Sequence, residues 1–472
     1  MLLFTILLPI LAGIVQTLAP LSRRARHWFC AAAVLAMDAL GILSVLLGQP
    51  LVLFHLTGTI PFSLGLDPVG RFFMVLVLAV YTAATFYSFE YLEHDDREHR
   101  FFAFWFASMG AMIAACSASN LVSLYLCFEL ATLTSMPLVL HERTRESTIA
   151  ALKYLFYSIG GALAGLFAVM ALCSYGSGNF TPGGFLSQDT VAAHAPLLSA
   201  ATFFGIVGFG AKAGMYPLHG WLPAAHPVAP APASALLSGI VAKAGILAVI
   251  RLVYFSAGPD LIRGTWVQLV WMCLACLTVF MGSMMAWREK VTKKRLAYST
   301  VSQLSYIMLG LSLLCDGGLH GALLHAAAHA VSKSALFLCA GVFIHKLGKH
   351  RVEELRGIGR QMPVTLWCFL LASLSLVGIP PMGGFVSKWQ LALAALQNAP
   401  GPFPVLIPVV LLISALLTAG YLLPVVVNGF FPSGEDSVST EKAEPGLFMI
   451  VPMLLLCAAA LAVGLFGSAV IP

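Results

Sequence analysis

Long apolar stretches, separated by short polar segments, follow one another along the whole chain. About 20 apolar residues span a bilayer as one helix, because a helix satisfies its own backbone polar groups. The pattern therefore predicts a series of membrane helices joined by short loops. We predict fourteen spans, at residues 2–19, 28–48, 70–92, 101–118, 120–140, 150–175, 198–216, 232–254, 264–287, 296–314, 319–346, 362–395, 402–428 and 446–468.

Composition supports this class. The 472 residues are 59% hydrophobic and only 10% charged, whereas soluble domains carry about 25% charged residues. The prediction is an all-α polytopic membrane protein with no soluble domain between the spans. The first span has no preceding basic segment, which favours a membrane helix over a cleaved signal peptide.

Basic residues predict the orientation. Most of the 26 lysines and arginines, including Lys293, fall in odd-numbered loops, whereas Arg71, Arg251 and Arg263 are assigned to even-numbered loops. Loops rich in basic residues stay on the cytoplasmic side. We therefore expect a cell inner (cytoplasmic) membrane protein with both termini outside.

Four lysines remain inside predicted spans. Lys243 and Lys333 lie too deep for their side chains to reach the interface, whereas Lys212 and Lys388 are close enough to helix breaks for snorkelling to be an alternative. A charge at bilayer depth costs several kcal/mol, and such residues mark ion or proton pathways. Glu129 is a carboxylate at mid-span, and a buried glutamate needs a partner. We expect that partner to be a lysine of another helix.

Histidines add to this set. His325, His329 and Lys333 recur every four residues, so they share one face of one helix. A line of titratable groups favours a proton relay; packing, polar bonding and metal binding are the alternatives, although no third metal ligand is evident. His219 and His226 lie near the inner end of the seventh span, where they link it to the cytoplasm or are exposed loop residues.

Two spans contain helix-breaking residues. Pro217 and Pro223 interrupt the seventh span, and Pro380 and Pro381 interrupt the twelfth. Broken helices in matching positions are typical of inverted-repeat transporters. The predicted organisation is one transmembrane domain, 1–472, made of N-terminal helices (1–95), a first five-helix repeat (101–254), an inverted second repeat (264–428) and a last helix (446–468).

Four segments resemble a known family. They are "KAGMYPLHGWLPAAHPVAPAPASALLSGIVAKAG", "KKRLAYSTVSQLSYIMLG", "HAAAHAVSKSALFLCAG" and "GIPPMGGFVSKW". In this order they are similar to the proton-translocating antiporter-like subunits. These include the large pumping subunits of complex I, subunits of membrane-bound hydrogenases and formate hydrogenlyases, and Mrp D-type antiporter subunits.

The resemblance implies fourteen core helices, two inverted repeats and roles for individual residues. Glu129 would pair with Lys212, and Lys243 would join two half-channels. Lys333, with the two histidines of its helix, would form the central relay, and Lys388 would serve the far half-channel. Two features depart from the pattern: Val291 stands where the family usually has aspartate, and no long lateral helix follows the last span.

The resemblance also implies what the chain lacks and what it joins. We expect no catalytic residue, cofactor or metal in this chain, and no nucleic acid. The expected partners are other membrane subunits, some of them homologous, a redox arm, lipids, and protons with or without sodium. The main prediction is a pumping subunit of a redox complex; an Mrp-type cation/proton antiporter subunit without redox chemistry is the alternative. A solute transporter and a membrane-embedded catalyst fit the residues less well.

Overall fold

Helices make up most of the chain in the computed structural model, which describes residues 1–56, 60–432 and 441–471. Each of the fourteen predicted spans coincides with one helix or with a short series of helices. The elements are α1 Leu2–Leu18, α2 Arg23–Leu47, β1 Leu51–His55, β2 Pro61–Leu64, α3 Pro68–Tyr91, α4 Glu98–Ser117, α5 Leu121–Val139, α6 Arg145–Tyr175, α7 Gln188–Lys212, α8 Trp221–Val228, α9 Ala231–Leu236, α10 Lys243–Leu252, α11 Pro259–Ile262, α12 Trp266–Arg288, α13 Thr292–Ser312, α14 Asp316–Leu347, α15 Ile358–Gln361, α16 Pro363–Val377, α17 Gly383–Asn398, α18 Phe403–Phe430 and α19 Leu447–Val470.

Within the described residues, 11 helical stretches are long and apolar enough to cross a membrane. The apolar helices α1 and α16 are shorter, with 17 and 15 residues. The amphipathic α13 carries basic residues in its first turn and packs between α12 and α14. The chain is therefore a multi-pass helical membrane protein, as the hydrophobic pattern predicts.

One small sheet accompanies the helices. Strands β1 and β2 pair antiparallel between α2 and α3, with Leu51 opposite Leu64. The prediction of an all-α chain omits this hairpin, because two strands of five and four residues leave little trace in a strongly apolar sequence.

Several helices begin earlier than the apolar pattern predicts. Polar side chains accept a hydrogen bond from a backbone N–H of the first turn, which satisfies a group with no intrahelical partner. The capping residues are Ser22, Asp67, Asn120, Thr144 and Ser187, ahead of α2, α3, α5, α6 and α7. Basic residues that the sequence assigns to inner loops therefore lie partly on first helical turns.

The seventh and twelfth spans are each divided into two helices. Helix α7 ends at Lys212, and Pro217 lies in the segment before α8. Helix α16 ends at Val377, and α17 begins after Pro380 and Pro381. The expectation that Pro223 also interrupts the helix is wrong. This proline is in the first turn of α8, where a missing N–H removes no intrahelical hydrogen bond.

Two helical stretches form the centre of the bundle. In the most apolar window, 94% of the residues of α14 and 100% of the Ala231–Ala257 stretch are buried, against 28% for α2. Helix α14 packs against α3, α9, α13, α16, α17 and α19. The Ala231–Ala257 stretch contains two π-helical turns, Leu237–Val241 and Val253–Ala257, on either side of α10. The helices with titratable residues are thus the least accessible ones.

Candidate functional site

The centre of the site is a direct contact between α10 and α14. Lys243 is the first residue of α10, and its Nζ lies 2.9 Å from Nδ1 of His329. The same Nζ donates hydrogen bonds to the carbonyl of Gly239, at 2.7 Å, and of Ser238, at 3.4 Å. Both carbonyls belong to the π-helical turn, whose wider winding leaves them available to a side chain. Lys243 is 1% exposed and His329 is fully buried.

His325 continues this line one helical turn away. Its ring stacks on that of His329, with centroids 6.4 Å apart, and on Tyr306 at 5.1 Å. Its Nδ1 lies 2.9 Å from Oγ of Ser387, and its Nε2 lies 3.1 Å from Oε1 of Gln303. The imidazole is thus in hydrogen-bond contact with α13 and α17, which places it between the central helix and the divided twelfth span.

Lys388 lies at the division between α16 and α17. Its Nζ donates to the carbonyls of Leu376, at 2.5 Å, and Val377, at 3.0 Å, and lies 5.0 Å from the centroid of the Tyr306 ring. These are the last carbonyls of α16, which have no intrahelical donor. A cation at a helix C-terminus is also favoured by the helix dipole. The break therefore provides the acceptors that hold Lys388.

Lys212 occupies the corresponding place in the seventh span, at the end of α7. It is fully buried, and its Nζ donates to Thr132 Oγ1 at 2.6 Å and to the Tyr154 hydroxyl at 2.8 Å. The ammonium also lies 5.4 Å from the centroid of the Phe128 ring. A Cβ added to Gly245 would approach Cβ of Lys212 to 3.0 Å, so Lys212 adjoins the first turn of α10.

The predicted partner of Lys212 is near but does not bind it directly. Glu129 is on α5, one residue from Phe128, and its charge acts on Lys212. Its Oε1 is buried without a hydrogen-bond partner, and Lys212 bonds to two neutral hydroxyls instead. The pair that the sequence predicts is therefore a long-range electrostatic contact in this conformation.

Lys333 and His226 lie on the inner side of the central contact. Lys333 is fully buried, and its Nζ donates to the carbonyl of Leu296 at 3.2 Å. His226 is fully buried at the end of α8, stacked on Phe337 with centroids 4.5 Å apart, and neither of its ring nitrogens has a partner. His219 lies in the connection between α7 and α8 and stacks on Tyr216. His226 is thus not the exposed loop residue that the sequence left open.

Two assignments made from the sequence are wrong. Lys293 and Arg251 count as loop residues in the charge pattern, but the structure buries both, at 5% and 2% exposure. Lys293 is in the first turn of α13, and its Nζ donates to the carbonyl of Ala229 at 2.7 Å. Arg251 is on α10, pairs with Asp67, and lies between two aromatic rings. The bundle therefore holds six buried or half-buried basic side chains rather than the four that the sequence indicates.

The neutral partners Thr132, Tyr154, Gln303 and Ser387 were not predicted either. They donate to or accept from the titratable groups, and all are fully buried. Serines, threonines and tyrosines occur throughout these helices, so their type carries no signal by itself. Their spacing from the lysines is visible only once the helices are packed.

Together these contacts form a row that crosses the bundle. It runs from Lys212 past Gly245 to Lys243, through His329 and His325, and on to Ser387 beside Lys388. Charges on neighbouring imidazoles 6.4 Å apart would repel by about 2–3 kcal/mol at an effective dielectric constant of about 20. Such a row holds protons singly and can pass them between neighbours. Among the residues described, no group of three histidine, cysteine or acidic side chains is placed to hold a metal ion.

Comparison with known proteins agrees with this arrangement. Residues 118–418 match the family described as "NADH:quinone oxidoreductase/Mrp antiporter, TM", and residues 55–102 match "NADH-Ubiquinone oxidoreductase (complex I), chain 5 N-terminus". The chain is 33% identical to NADH-quinone oxidoreductase subunit N of Desulforudis audaxviator over 93% of its own length and 90% of that protein. It is 31% identical to hydrogenase-4 component B of Escherichia coli, with 87% of this chain covering 63% of that one.

Solved structures give the same fold. A chain of the membrane-bound sulfane sulfur reductase, an archaeal respiratory membrane complex, superposes with a TM-score of 0.83 at 21% identity, covering 99% of this chain and 94% of that one. A chain of the Mrp complex from Dietzia sp. DQ12-45-1b superposes with a TM-score of 0.84 at 22% identity, with the same coverage of both chains.

Proposed function

Because the chain belongs to the NADH:quinone oxidoreductase/Mrp antiporter family of membrane subunits, we propose that it translocates protons as an antiporter-like subunit of a multi-subunit membrane complex. The observation that carries the proposal is the 2.9 Å contact between Lys243 and His329, two titratable groups that are both buried. Buried charges of this kind in membrane helices serve ion and proton pathways.

The contact allows a balanced proton transfer. Lys243 as an ammonium donates to Nδ1 of His329, and movement of that proton along the hydrogen bond leaves a neutral amine and an imidazolium. The imidazolium then releases a different proton from Nε2, which has no partner in this conformation. An imidazole can accept on one nitrogen and donate from the other, so the charge passes from α10 to α14.

Glu129 supplies the control of the first step. Its carboxylate acts on Lys212 without bonding to it, so a small approach or withdrawal changes how firmly Lys212 holds its proton. Repulsion between successive cations would carry that change along the row. The two divided spans, each with a lysine, support an inverted-repeat organisation in which the repeats 101–254 and 264–428 each provide one half of the pathway.

The driving module distinguishes two versions of the proposal. Similarity to subunit N and to hydrogenase-4 component B supports a redox-driven complex, in which the electron carriers belong to other subunits. The fold of an Mrp complex chain, together with 27% identity to a subunit of the Na(+)/H(+) antiporter of Alkalihalophilus pseudofirmus, supports an Mrp-type antiporter as the second candidate. The proteins that purify with the chain separate the two, because only the first brings redox subunits. In either version we place the chain in the inner membrane with both termini outside.

The test uses the assembled complex in closed vesicles, with proton movement followed by a pH-sensitive dye. Lys243→Met keeps the apolar volume but removes the proton carrier, and we expect translocation to fall at least tenfold. Glu129→Gln removes the controlling charge and should have an effect of similar direction. Lys290→Met is the matched control, because Lys290 is a surface residue with 63% side-chain exposure. Full-rate translocation by Lys243→Met in an intact complex would refute the proposal.

A further inference from the structure

A polar pocket opens on the inner side of the bundle, apart from the row described above. Its volume is about 560 Å³, and it lies between the loop after α3, the loop after α5 and the end of α14. The side chains that give it a polar lining are His94, Asp95, Asp96, His141, Glu142 and His345. Carboxylates and imidazoles at one opening exchange protons with water near neutral pH.

The pocket wall includes Pro230, which follows directly on Ala229. The carbonyl of Ala229 accepts the 2.7 Å hydrogen bond from Nζ of the buried Lys293. The carboxylate of Glu142, on the pocket wall, also acts on the charge of Lys293. A buried amine thus lies immediately behind a lining that can collect protons.

Two further basic groups lie behind Lys293. Lys333 donates to the carbonyl of Leu296, which is on α13 one turn after Lys293. His226 stacks on Phe337, one turn along α14 from Lys333, and the charges of both lysines act on its ring. Three basic side chains from α8, α13 and α14 therefore share one buried volume between the pocket and the central row. We call His226, Lys293 and Lys333 the inner cluster.

His226 points to the use of this cluster. An imidazole buried completely with both nitrogens unpartnered is costly in a packed interior, since each unsatisfied polar group costs about 1–3 kcal/mol. A ring that must accept a proton on one side and release it on the other needs both nitrogens free. Lysine side chains have flexible stems that can bring Nζ to either nitrogen by rotation.

We infer that the inner pocket and the inner cluster form a proton entry that joins the central row at Lys333, in addition to Lys212 at the divided seventh span. A proton taken from the pocket moves to neutral Lys293, from its ammonium to a ring nitrogen of His226, and from the other ring nitrogen to neutral Lys333. One N–H bond forms and one breaks at each step, and no other reactant is needed. This inference rests on the proposed function and adds an access route to it.

The alternative is that Lys293 only anchors the α8–α9 connection through Ala229. Substitution by arginine distinguishes the two roles. Arginine keeps the charge and the ability to donate to the carbonyl, but it does not release its proton at any physiological pH. We expect Lys293→Arg to assemble normally and to lose translocation at least about fivefold, whereas an anchoring role predicts translocation close to that of the unmodified complex.

A second variant avoids the interior altogether. Glu142→Gln changes a side chain of the pocket wall, and we expect a loss of translocation that grows as the inner pH rises, because proton capture then becomes limiting. Glu353→Gln is the matched control: it is an inner-side carboxylate that is 62% exposed and pairs with Lys290 away from the pocket. The same vesicle assay applies, with inner pH varied from 6 to 9 as an experimental setting.

The outcomes separate the inference from the proposed function. If Lys243→Met abolishes translocation while Lys293→Arg and Glu142→Gln match the control at every pH, the inner entry does not exist and the function stands. If Lys243→Met translocates normally, the proposed function itself fails. Loss in both interior variants, with a pH-dependent loss in Glu142→Gln alone among the surface variants, supports the entry.

Discussion

Replacement of Lys388 by methionine tests how the divided twelfth span is held together. The ammonium donates to the carbonyls of Leu376 and Val377 at the end of α16. Methionine has similar length but no donor, so both carbonyls lose their side-chain partner. Each unsatisfied buried group costs about 1–3 kcal/mol, and part of the total is recovered because no cation then needs to be desolvated. We expect a net local loss of about 3 kcal/mol.

Amide hydrogen exchange measures this loss in the intact complex. The amides of Gly378 and Ile379 both bond to the carbonyl of Leu374 and report opening of the last turn of α16. A loss of about 3 kcal/mol corresponds to exchange that is roughly 100-fold faster at these two amides.

Two variants serve as comparisons for this measurement. Lys442→Met removes a lysine that also donates to a main-chain carbonyl, that of Arg360, but from an exposed position, and it should leave the α16 amides unchanged. Lys388→Arg should keep the slow exchange, because arginine still donates, while it stops proton transfer. Equal exchange rates in Lys388→Met and Lys442→Met would refute the argument that Lys388 closes the break.

Two further predictions concern the ends of the bundle. Asp67→Asn leaves Arg251 charged and 2% exposed without its partner, so we expect about 3–5 kcal/mol of destabilisation, seen as lost assembly or a lower melting temperature of the complex; Asp260→Asn, at a 93% exposed carboxylate, should have no such effect. At the inner surface, burial lowers the pKa of His141 below 6.5, and although burial alone would raise it, the hydrogen bond from His141 lowers the pKa of Asp95. For both groups the unfolded chain binds more protons than the folded one, so the two loops should be most stable above about pH 6.5 and should lose protection from amide exchange as the pH falls below it; exchange at residues 140–144 that is independent of pH, once corrected for intrinsic rates, would contradict this.

The sequence predicts much of the fold because hydrophobic length alone defines a membrane helix. The fourteen spans coincide with observed helices, and the four lysines at mid-span stand out because charge is rare at that depth. The resemblance to a family, carried by four segments, is confirmed by matches that extend over 118–418. The ends of the helices were less predictable, since capping residues such as Thr144 and Ser187 begin a helix before its apolar part.

The rest of the site depends on packing. Lys293 and Arg251 lie close enough to the ends of apolar runs to count as loop residues, and only the neighbouring helices bury them. Gln303 and Tyr154 are neutral polar residues whose importance comes from a hydrogen bond to a titratable group on another helix. Contacts of that kind depend on crossing geometry, which the order of residues in one chain does not state.

The two π-helical turns around α10 have a consequence for insertions and deletions. A π-turn contains one residue more than an α-turn, so Leu237–Val241 and Val253–Ala257 each store one surplus position. Removal of one residue within either segment would convert it to ordinary α-helix and rotate everything beyond it by about 100°, since an α-helix has 3.6 residues per turn. A deletion in the first segment would then turn Lys243 away from His329, whereas one in the second would spare that lysine and displace only the outer end of the helix.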